Sequence, residues 1–261
     1  MRRLHLLYHE LRPGGSNYSY VLSTERFAKQ LELFAHLRSH PDNTLRPELT
    51  FDDGHISNFE HALPALQIHG LSALFFITVG WTGQRAGYMN AQHLRALHQA
   101  GQSIGAHGWT HTLLTHCNDR ELKHELLDAR VALEDKLGAP VTIMSLPGGR
   151  YNSRVLSACR DAGYTHIYTS APRLETNASA FTQGRLNIRG DMTLPWISDL
   201  FRPASSTLSS LERQYRIKAA VQSFLGDRLY EKLWALLNRQ ETEPDTDPET
   251  AAAHEDPAHH Q

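Results

Sequence analysis

Cysteine is scarce in this chain of 261 residues, which contains only Cys117 and Cys159. Two cysteines this far apart fit neither the disulfide framework of a small secreted domain nor a multi-cysteine zinc site. We therefore interpret both as thiols without a chemical role, of the kind that is commonly buried in a protein core.

Long apolar runs and an excess of one charge are also missing. No run approaches the roughly 20 consecutive apolar residues that span a bilayer, and the apolar stretch at 4–8 is too short for a signal peptide. The formal net charge is −2, which does not indicate a general attraction to nucleic acid or to acidic membranes. We expect a cytoplasmic protein with no nucleic-acid partner and no transmembrane segment.

Short apolar segments alternate with amphipathic segments over most of the chain. This pattern is typical of a parallel α/β sheet, and its regularity favours a barrel over an open sheet. Several of the intervening helices are predicted to end at a glycine, as at Gly70, Gly101 and Gly138. The predicted strands are 4–8, 48–51, 73–79, 103–106, 141–146, 166–169 and 185–188.

The pattern changes near residue 203. We predict a barrel domain over 1–202, a C-terminal helical extension over 203–240 and a disordered acidic tail over 241–261. The extension could pack on the barrel, meet a protein partner or touch a membrane surface, and the sequence does not choose among these.

Asp52 and Asp53 stand together where a predicted strand ends, within Thr50-Phe51-Asp52-Asp53-Gly54. Two carboxylates this close repel each other unless a cation lies between them. One of them could bind a metal ion while the other stays free as a base.

A second polar group follows another predicted strand, in His107-Gly108-Trp109-Thr110-His111. Histidines four residues apart can reach one ion from a helix or from a tight turn. With one aspartate they make a set of two imidazoles and one carboxylate, which leaves a coordination position open as catalytic zinc sites do. We expect a divalent ion, Zn²⁺ first, with Co²⁺, Ni²⁺ and Mn²⁺ as alternatives.

The third stretch is the turn Ser145-Leu146-Pro147-Gly148-Gly149. Glycines let the backbone approach a ligand closely, and N–H groups presented there could hold an oxyanion. Taken alone, the same residues would be an ordinary strand-to-helix turn.

In this order and spacing, the three motifs resemble the polysaccharide deacetylases, the NodB-homology family of carbohydrate esterases. The likeness covers roughly residues 4–190 and includes connecting text such as Gly101-Gln102-Ser103-Ile104-Gly105-Ala106. The resemblance implies a distorted (β/α)7 barrel and metal-dependent removal of an acetyl group from an N-acetylated sugar. It also implies that Asp52 is the general base, that Asp53, His107 and His111 bind the metal, and that the Gly148 N–H helps to hold the oxyanion.

The chain departs from the family pattern in three places. His55 stands where proline is common, and it could be an acid, a substrate contact or a variant loop residue. Ser145 replaces the arginine of the third motif, so the arginine that orients the base must come from elsewhere, with Arg150 and Arg189 as candidates. The usual late histidine is missing, which leaves His55, a re-used Asp52 or water on the metal as proton donor.

The expected function is removal of the N-acetyl group from an N-acetylhexosamine unit of a polysaccharide, oligosaccharide or lipid-linked precursor. The Ser-x-Pro-Gly-Gly form looks like the branch associated with exopolysaccharide synthesis, and we expect Trp109, Tyr151 and Asn152 to contact the glycan. The alternatives are a glycan-binding pseudoenzyme, which the missing arginine and histidine favour, and a hydrolase of a small non-sugar amide.

Overall fold

A parallel sheet forms the centre of the molecule. The structure is a computed structural model, and it describes residues 2–40, 43–202 and 205–225. Eight strands follow the order β10-β1-β4-β5-β6-β7-β8-β9, and β2 pairs with β3 in a separate two-stranded sheet. The strands are β1 Arg2–Tyr8, β2 Glu10–Arg12, β3 Val21–Ser23, β4 Leu45–Phe51, β5 Ala73–Ile77, β6 Ser103–Ala106, β7 Ile143–Ser145, β8 His166–Tyr168, β9 Thr182–Gln183 and β10 Arg185–Asn187.

The two edges of the large sheet meet in one short segment of chain. β9 pairs with β8 and β10 pairs with β1, and only Gly184 separates β9 from β10. A Cβ atom at Gly184 would lie 2.5 Å from the Ala171 carbonyl oxygen, so only glycine allows the chain to pass this closely. If 182–187 is counted as one interrupted strand, the sheet is a nearly closed barrel of seven strands. The predicted distorted (β/α)7 barrel is therefore confirmed.

Helices connect the successive strands of the large sheet from β1 to β8, as parallel pairing requires a crossover connection. Asn90, Asn118 and Asn152 cap three of them, each accepting a backbone N–H at the first turn. A π-helical turn at His124–Asp128 joins the helices Asp119–Lys123 and Ala129–Leu137 without a break. The helices are α1 Thr24–Ser39, α2 Leu63–Ile68, α3 Ala91–Gln99, α4 Asp119–Lys123, α5 Ala129–Leu137, α6 Ser153–Asp161, α7 Leu194–Asp199 and α8 Thr207–Leu225.

Aromatic side chains fill the layer between α1 and the neighbouring strands. The Phe51 and Phe75 rings stack with centroids 4.9 Å apart, and Tyr8 and Phe27 pack against Phe51. All four side chains are buried. Because β1, β4 and β5 carry these rings, the ends of these three strands are held at a fixed level relative to one another.

One compact unit comprises Met1–Ala219, which includes the first part of α8, where Leu208 is buried. Of the second unit, Ala220–Gln261, the structure describes only the end of α8. The remainder of the predicted extension beyond Leu225 and the predicted tail over 241–261 lie outside the described residues. Within the described part of the chain, every helix is too short or too polar to cross a bilayer.

Candidate metal centre and base

Polar residues follow three strands, β1, β4 and β6, at the carboxyl edge of the barrel. The register pairs Tyr8 with Phe51, so His9 and Asp52 are the next residues of two neighbouring strands. Ile77 pairs with Ala106, which brings the residue after β6, His107, to the same edge. The His107 N–H donates to the Ile77 carbonyl at 2.8 Å, which fixes the position of His107 relative to the end of β5. In barrels of this kind, the carboxyl edge is where active sites are built.

Two residues at this edge have a backbone conformation that side chains rarely adopt. Asp53 has φ of 73° and His111 has φ of 67°, and among the described residues no other non-glycine has positive φ. The left-handed conformation costs about 1–2 kcal/mol for an ordinary residue, and strain of this kind clusters at functional sites. At Asp53 it turns the chain out of the strand, so that both neighbouring carboxylates face one cleft.

Asp53, His107 and His111 form what we call the ligand cluster. One ligand atom from each lies within 4.8 Å of the others. Asp53 Oδ1 is 3.4 Å from Nε2 of His107 and 3.4 Å from Nε2 of His111. The edge of a tetrahedron with ligand distances of about 2.0–2.1 Å is about 3.4 Å. The spacing therefore suits a small divalent ion.

The hydrogen bonds of the ligand cluster leave the atoms that would bind a metal free to do so. The Nδ1 of His107 lies 2.9 Å from the Ser145 carbonyl oxygen, to which it must donate, so the Nε2 lone pair faces the cleft. Asp53 Oδ1 is buried and has no hydrogen-bond partner among the described residues. A buried carboxylate oxygen without a donor is costly unless a cation is bound. These donors fit a divalent metal.

The charges in this cluster are strongly coupled. Burial raises the pKa of Asp53, but His107 and the imidazoles of His9 and His111 outweigh it and hold that pKa well below its ordinary value. Burial lowers the pKa of His107, but Asp52 and Asp53 raise it overall. Burial lowers the pKa of His111. Asp53 is thus a carboxylate at neutral pH, the form that a metal requires.

Asp52, Ser145 and Arg185 form a second group, the base cluster. Arg185 Nη1 donates to Asp52 Oδ1 at 2.7 Å and Nη2 donates to Oδ2 at 2.8 Å. The Ser145 hydroxyl donates to Asp52 Oδ2 at 2.9 Å and accepts from Arg185 Nη2 at 2.6 Å. Burial raises the pKa of Asp52, but Arg185 and His107 outweigh it and keep the pKa below its ordinary value. The cluster holds one charged carboxylate in one orientation.

Arg185 corrects the sequence-based choice of an orienting arginine. Both oxygens of Asp52 are engaged by Arg185, which is fully buried in the barrel. The guanidinium of Arg189 instead lies 3.4 Å from Asp191, and Arg150 is partly exposed beyond the glycine turn. Ser145, which stands in place of the family's arginine, binds the arginine that comes from β10. Arg185 was within a predicted strand, but nothing in that strand showed which side faces the barrel interior.

His9 is a further residue that the sequence motifs did not single out. Its Nδ1 is buried and has no hydrogen-bond partner among the described residues. Burial lowers its pKa, while the nearby carboxylates of Asp53 and Asp52 raise it. Its carbonyl oxygen accepts from Asn58 Nδ2 at 2.6 Å, which fixes the backbone at the end of β1. The available signal was its position directly after an apolar strand, like Asp52 and His107.

His55 lies beside the site, and its ring is engaged by residues outside the ligand cluster. Its Nδ1 accepts from the Ser57 N–H at 3.2 Å and contacts the Ser57 hydroxyl at 2.8 Å. Neutral His55 therefore carries its proton on Nε2, which is 4.0 Å from Glu10 Oε2. Burial lowers its pKa, and Glu10 opposes that shift. This environment engages His55 with Glu10 and Ser57.

Aromatic rings continue from the ligand cluster along one side of the cleft. The Trp81 ring lies 5.4 Å from the His111 ring and 4.8 Å from the Tyr88 ring. The Arg85 guanidinium stacks 4.7 Å from Trp81 and 5.0 Å from Tyr88. We call Trp81, Arg85 and Tyr88 the aromatic wall.

The remaining predicted site residues lie on other loops. Gly148 is exposed, with φ of 64°, in a single turn of 3₁₀-helix. Trp109 stacks on His124 at 4.5 Å, and Asn152 caps α6. Tyr151 is 40% exposed. The roles predicted for these four residues stay predictions.

The fold and the site together define a (β/α) barrel with a candidate metal centre and a buried, charged carboxylate at its carboxyl edge. Residues 43–167 match the family model described as polysaccharide deacetylase. Over this segment, which is nearly half of the chain, the protein is similar to the NodB-homology carbohydrate esterases, as its motifs indicated.

Individual relatives agree with this assignment. The peptidoglycan-N-acetylglucosamine deacetylase of Bacillus cereus is 29% identical over 131 residues, which are 50% of this chain and 59% of that protein. The chain spans 34% to 59% of the length of the curated relatives that it matches.

Two solved structures show the same fold. The deacetylase PplD of Streptococcus pyogenes, in complex with acetate, has a TM-score of 0.68 at 20% identity and covers 78% of this chain and 99% of its own. IcaB from Ammonifex degensii has a TM-score of 0.63 at 20% identity, with coverage of 75% and 95%.

Proposed function

We propose that this protein removes the acetyl group from an N-acetylhexosamine unit of a glycan by metal-dependent hydrolysis. The observation that carries the proposal is the pairing of two clusters at one edge. The ligand cluster leaves a buried oxygen of Asp53 for a cation, and the base cluster holds Asp52 charged 3.7 Å from the Nε2 of His107. Similarity to this family supports deacetylation of a glycan, and the peptidoglycan relative supports a wall or surface polymer.

Asp53, His107 and His111 would hold the ion. When bound, a divalent ion lowers the pKa of water and polarises the amide carbonyl. Asp52 takes the proton from the attacking water as the new carbon–oxygen bond forms. Its own pKa is held low, which makes it a modest base, but Arg185 and Ser145 fix its orientation. We assign the Gly148 N–H as a donor to the oxyanion, as the family motif implies.

We assign His9 as the group that protonates the leaving amine. Breaking the carbon–nitrogen bond requires one proton on nitrogen, and the buried Nδ1 of His9 is not committed to another described group. His55 is less suited because its ring is engaged by Ser57 and faces Glu10. Burial lowers the pKa of His9, so its imidazolium is a stronger acid but a scarcer one at neutral pH.

The aromatic wall is the proposed contact for the sugar ring. Trp81 touches the ligand His111, so a sugar whose acetyl group reaches the metal centre passes beside this wall. Apolar faces of sugars pack on aromatic rings, and Arg85 adds hydrogen-bond donors at the rim. A role in exopolysaccharide synthesis remains a prediction of the Ser-x-Pro-Gly-Gly motif, and lipid-linked precursors remain a prediction of the expected cytoplasmic setting.

Acetate release tests the proposal directly. The purified protein, first stripped with a chelator and then reloaded with Zn²⁺ or Co²⁺, is incubated with N-acetylated chitooligosaccharides, peptidoglycan fragments and a small non-sugar amide. We expect acetate from at least one sugar substrate only after metal is restored. Release from the non-sugar amide alone would support the other hydrolase. Saturable glycan binding without acetate from any sugar would support the pseudoenzyme, although Arg185 supplies an arginine to Asp52 and so weakens one of the two arguments for it.

A further inference from the structure

The loop between the two ligand histidines is held by a buried carboxylate on a different element. We propose that Glu125 is a positioning residue for the metal centre, because its carboxylate fixes the loop so that His111 reaches the same ion as His107. This inference rests on the proposed function, since it assigns Glu125 a role in the ligand cluster described there.

Glu125 gathers its hydrogen bonds from two adjacent loop residues. Oε2 accepts from the Trp109 N–H at 2.7 Å, and Oε1 accepts from the Thr110 hydroxyl at 2.6 Å. The Thr110 N–H lies 3.1 and 3.2 Å from the two oxygens. The residue is 3% exposed and lies in the π-helical turn His124–Asp128. Short hydrogen bonds to a buried anion are the stronger kind, and π turns are frequent at functional sites.

The opposite side of the same loop is bound to the turn after β5. The Val79 N–H donates to the Gly108 carbonyl at 3.0 Å, and the Gly80 N–H donates to the Trp109 carbonyl at 2.9 Å. A Cβ at Gly108 would lie 2.7 Å from Glu125 Oε2, so the loop backbone passes directly against the carboxylate. The peptide groups of Gly108, Trp109 and Thr110 are thus fixed from both sides.

The two histidines depend on this loop to different degrees. His107 follows β6 directly and is also held by the Ser145 carbonyl. His111 comes after the loop, is 38% exposed at its side chain and has φ of 67°. Because a positive φ at histidine must be imposed by its surroundings, release of Thr110 would free His111 first. The expected consequence is a looser ligand set within an intact barrel.

The test is metal affinity in matched variants. Stripped wild-type protein and the variants Glu125→Gln and Glu125→Asp are titrated with Co²⁺, followed by its visible absorption, and their thermal unfolding is recorded. Losing an outer partner of a metal ligand typically costs about 10–100-fold in affinity. We expect that loss for Glu125→Gln, with Glu125→Asp in between because it keeps the charge. Glu134→Gln is the control, since Glu134 accepts from the Val141 N–H at 2.9 Å and from Arg130 at 2.8 Å away from the site.

The outcomes separate this inference from the proposed function. A Co²⁺ affinity of Glu125→Gln within about twofold of wild type would overturn the positioning role alone. So would a loss of Co²⁺ affinity in Glu134→Gln equal to that in Glu125→Gln, when the two variants have the same melting temperature. A wild-type protein that binds neither Co²⁺ nor Zn²⁺ would overturn the metal centre as well. If Glu125→Gln does not fold, Thr110→Val replaces it. That variant removes one hydrogen bond of about 1 kcal/mol, and we expect about fivefold weaker binding.

Discussion

Asp52 and Asp53 are neighbours in the chain, but their surroundings are opposite. Asp52 has donors on both oxygens, from Arg185 and Ser145, and is 3% exposed. Asp53 has a buried oxygen with no donor among the described residues, facing two imidazole nitrogens at 3.4 Å. The base cluster is complete without a ligand, whereas the ligand cluster is complete only with a cation.

This difference supports the two separate roles that we propose for neighbouring residues of one motif. A carboxylate that is fully hydrogen-bonded and paired with a guanidinium stays charged and keeps one orientation. A carboxylate in the left-handed conformation, with a free oxygen, carries strain and an electrostatic cost that a metal would offset. The turn at Asp53 therefore separates the proposed base from the proposed metal ligand.

The largest expected effect comes from the ligand cluster. His111→Ala should weaken binding of Co²⁺ by more than about 100-fold, beyond what loss of an outer partner costs, and should abolish metal-dependent acetate release. His111→Gly should lose metal equally but leave the metal-free protein about 1 kcal/mol more stable than His111→Ala, because glycine adopts positive φ freely. Metal titration and urea unfolding of both variants check this. Equal stability of the two would show that φ at His111 is not strained.

The base cluster should instead determine stability. Arg185→Met leaves the Asp52 charge buried without its partner and should cost about 3–5 kcal/mol in free energy of unfolding at neutral pH. The depressed pKa of Asp52 contributes stability that is present above its unfolded value of 3.8 and lost as pH falls through the lower folded value. The variant should lose this contribution.

A surface pair provides the control for Arg185→Met. Lys123 and Asp128 are 64% and 42% exposed, and Lys123→Met should cost about 0–1 kcal/mol. Chemical unfolding at pH 7 and at lower pH measures both variants. A cost for Arg185→Met as small as that for Lys123→Met would mean that the guanidinium does not compensate Asp52.

Substitution of His9 tests whether this residue is the proton donor. His9→Gln should lower kcat/KM by about 100-fold, the lower end of the range for general acid catalysis, with metal affinity unchanged. Because donation requires the imidazolium, wild-type activity should fall as pH rises through the pKa of His9, and His9→Gln should lack this decline. His55→Gln is the comparison variant. If His55→Gln removes the alkaline decline and His9→Gln does not, the two assignments are reversed.

The aromatic wall should have the smallest effect. Trp81→Ala should raise KM by about 2–10-fold with little change in kcat, since an aromatic contact contributes about 0.5–1.5 kcal/mol. Tyr151→Ala measures the alternative contact after the glycine turn, because Tyr151 is exposed and was predicted to bind substrate. A larger rise in KM for Tyr151→Ala than for Trp81→Ala would move the proposed sugar contact to the glycine turn.

The sequence predicted the barrel from local signals, and the same signals placed the aspartate pair and the two histidines at one edge. The choice of Asp53 as the ligand came from the family resemblance. Apolar strands and glycine-terminated helices can be recognised within a short window, and the carboxyl ends of parallel strands meet at one edge. Six of the seven predicted strands end within one residue of the observed ends, and the third, predicted over 73–79, ends two residues earlier at Ile77. His107 follows the end of β6 directly, Asp53 is the second residue after β4, and His111 lies at the end of the loop after β6.

The position of Arg185 and the proposed role of His9 were not predictable in the same way. Arg185 reaches Asp52 across the barrel, and this depends on how β9 and β10 close the sheet around Gly184. Closure is a long-range property that no local pattern carries, and an arginine in a short strand usually faces solvent. The positive φ of Asp53 likewise follows from the turn into Gly54, and not from the identity of the aspartate.

The most direct test of the division between the two aspartates is the metal content and turnover of Asp52→Asn and Asp53→Asn, measured side by side. We expect Asp52→Asn to bind about one equivalent of Co²⁺ with near wild-type affinity while acetate release falls by about 10²–10⁴-fold. Asp53→Asn should lose the metal and the activity together. Loss of metal from Asp52→Asn, with metal retained by Asp53→Asn, would contradict the account and exchange the roles of the two residues.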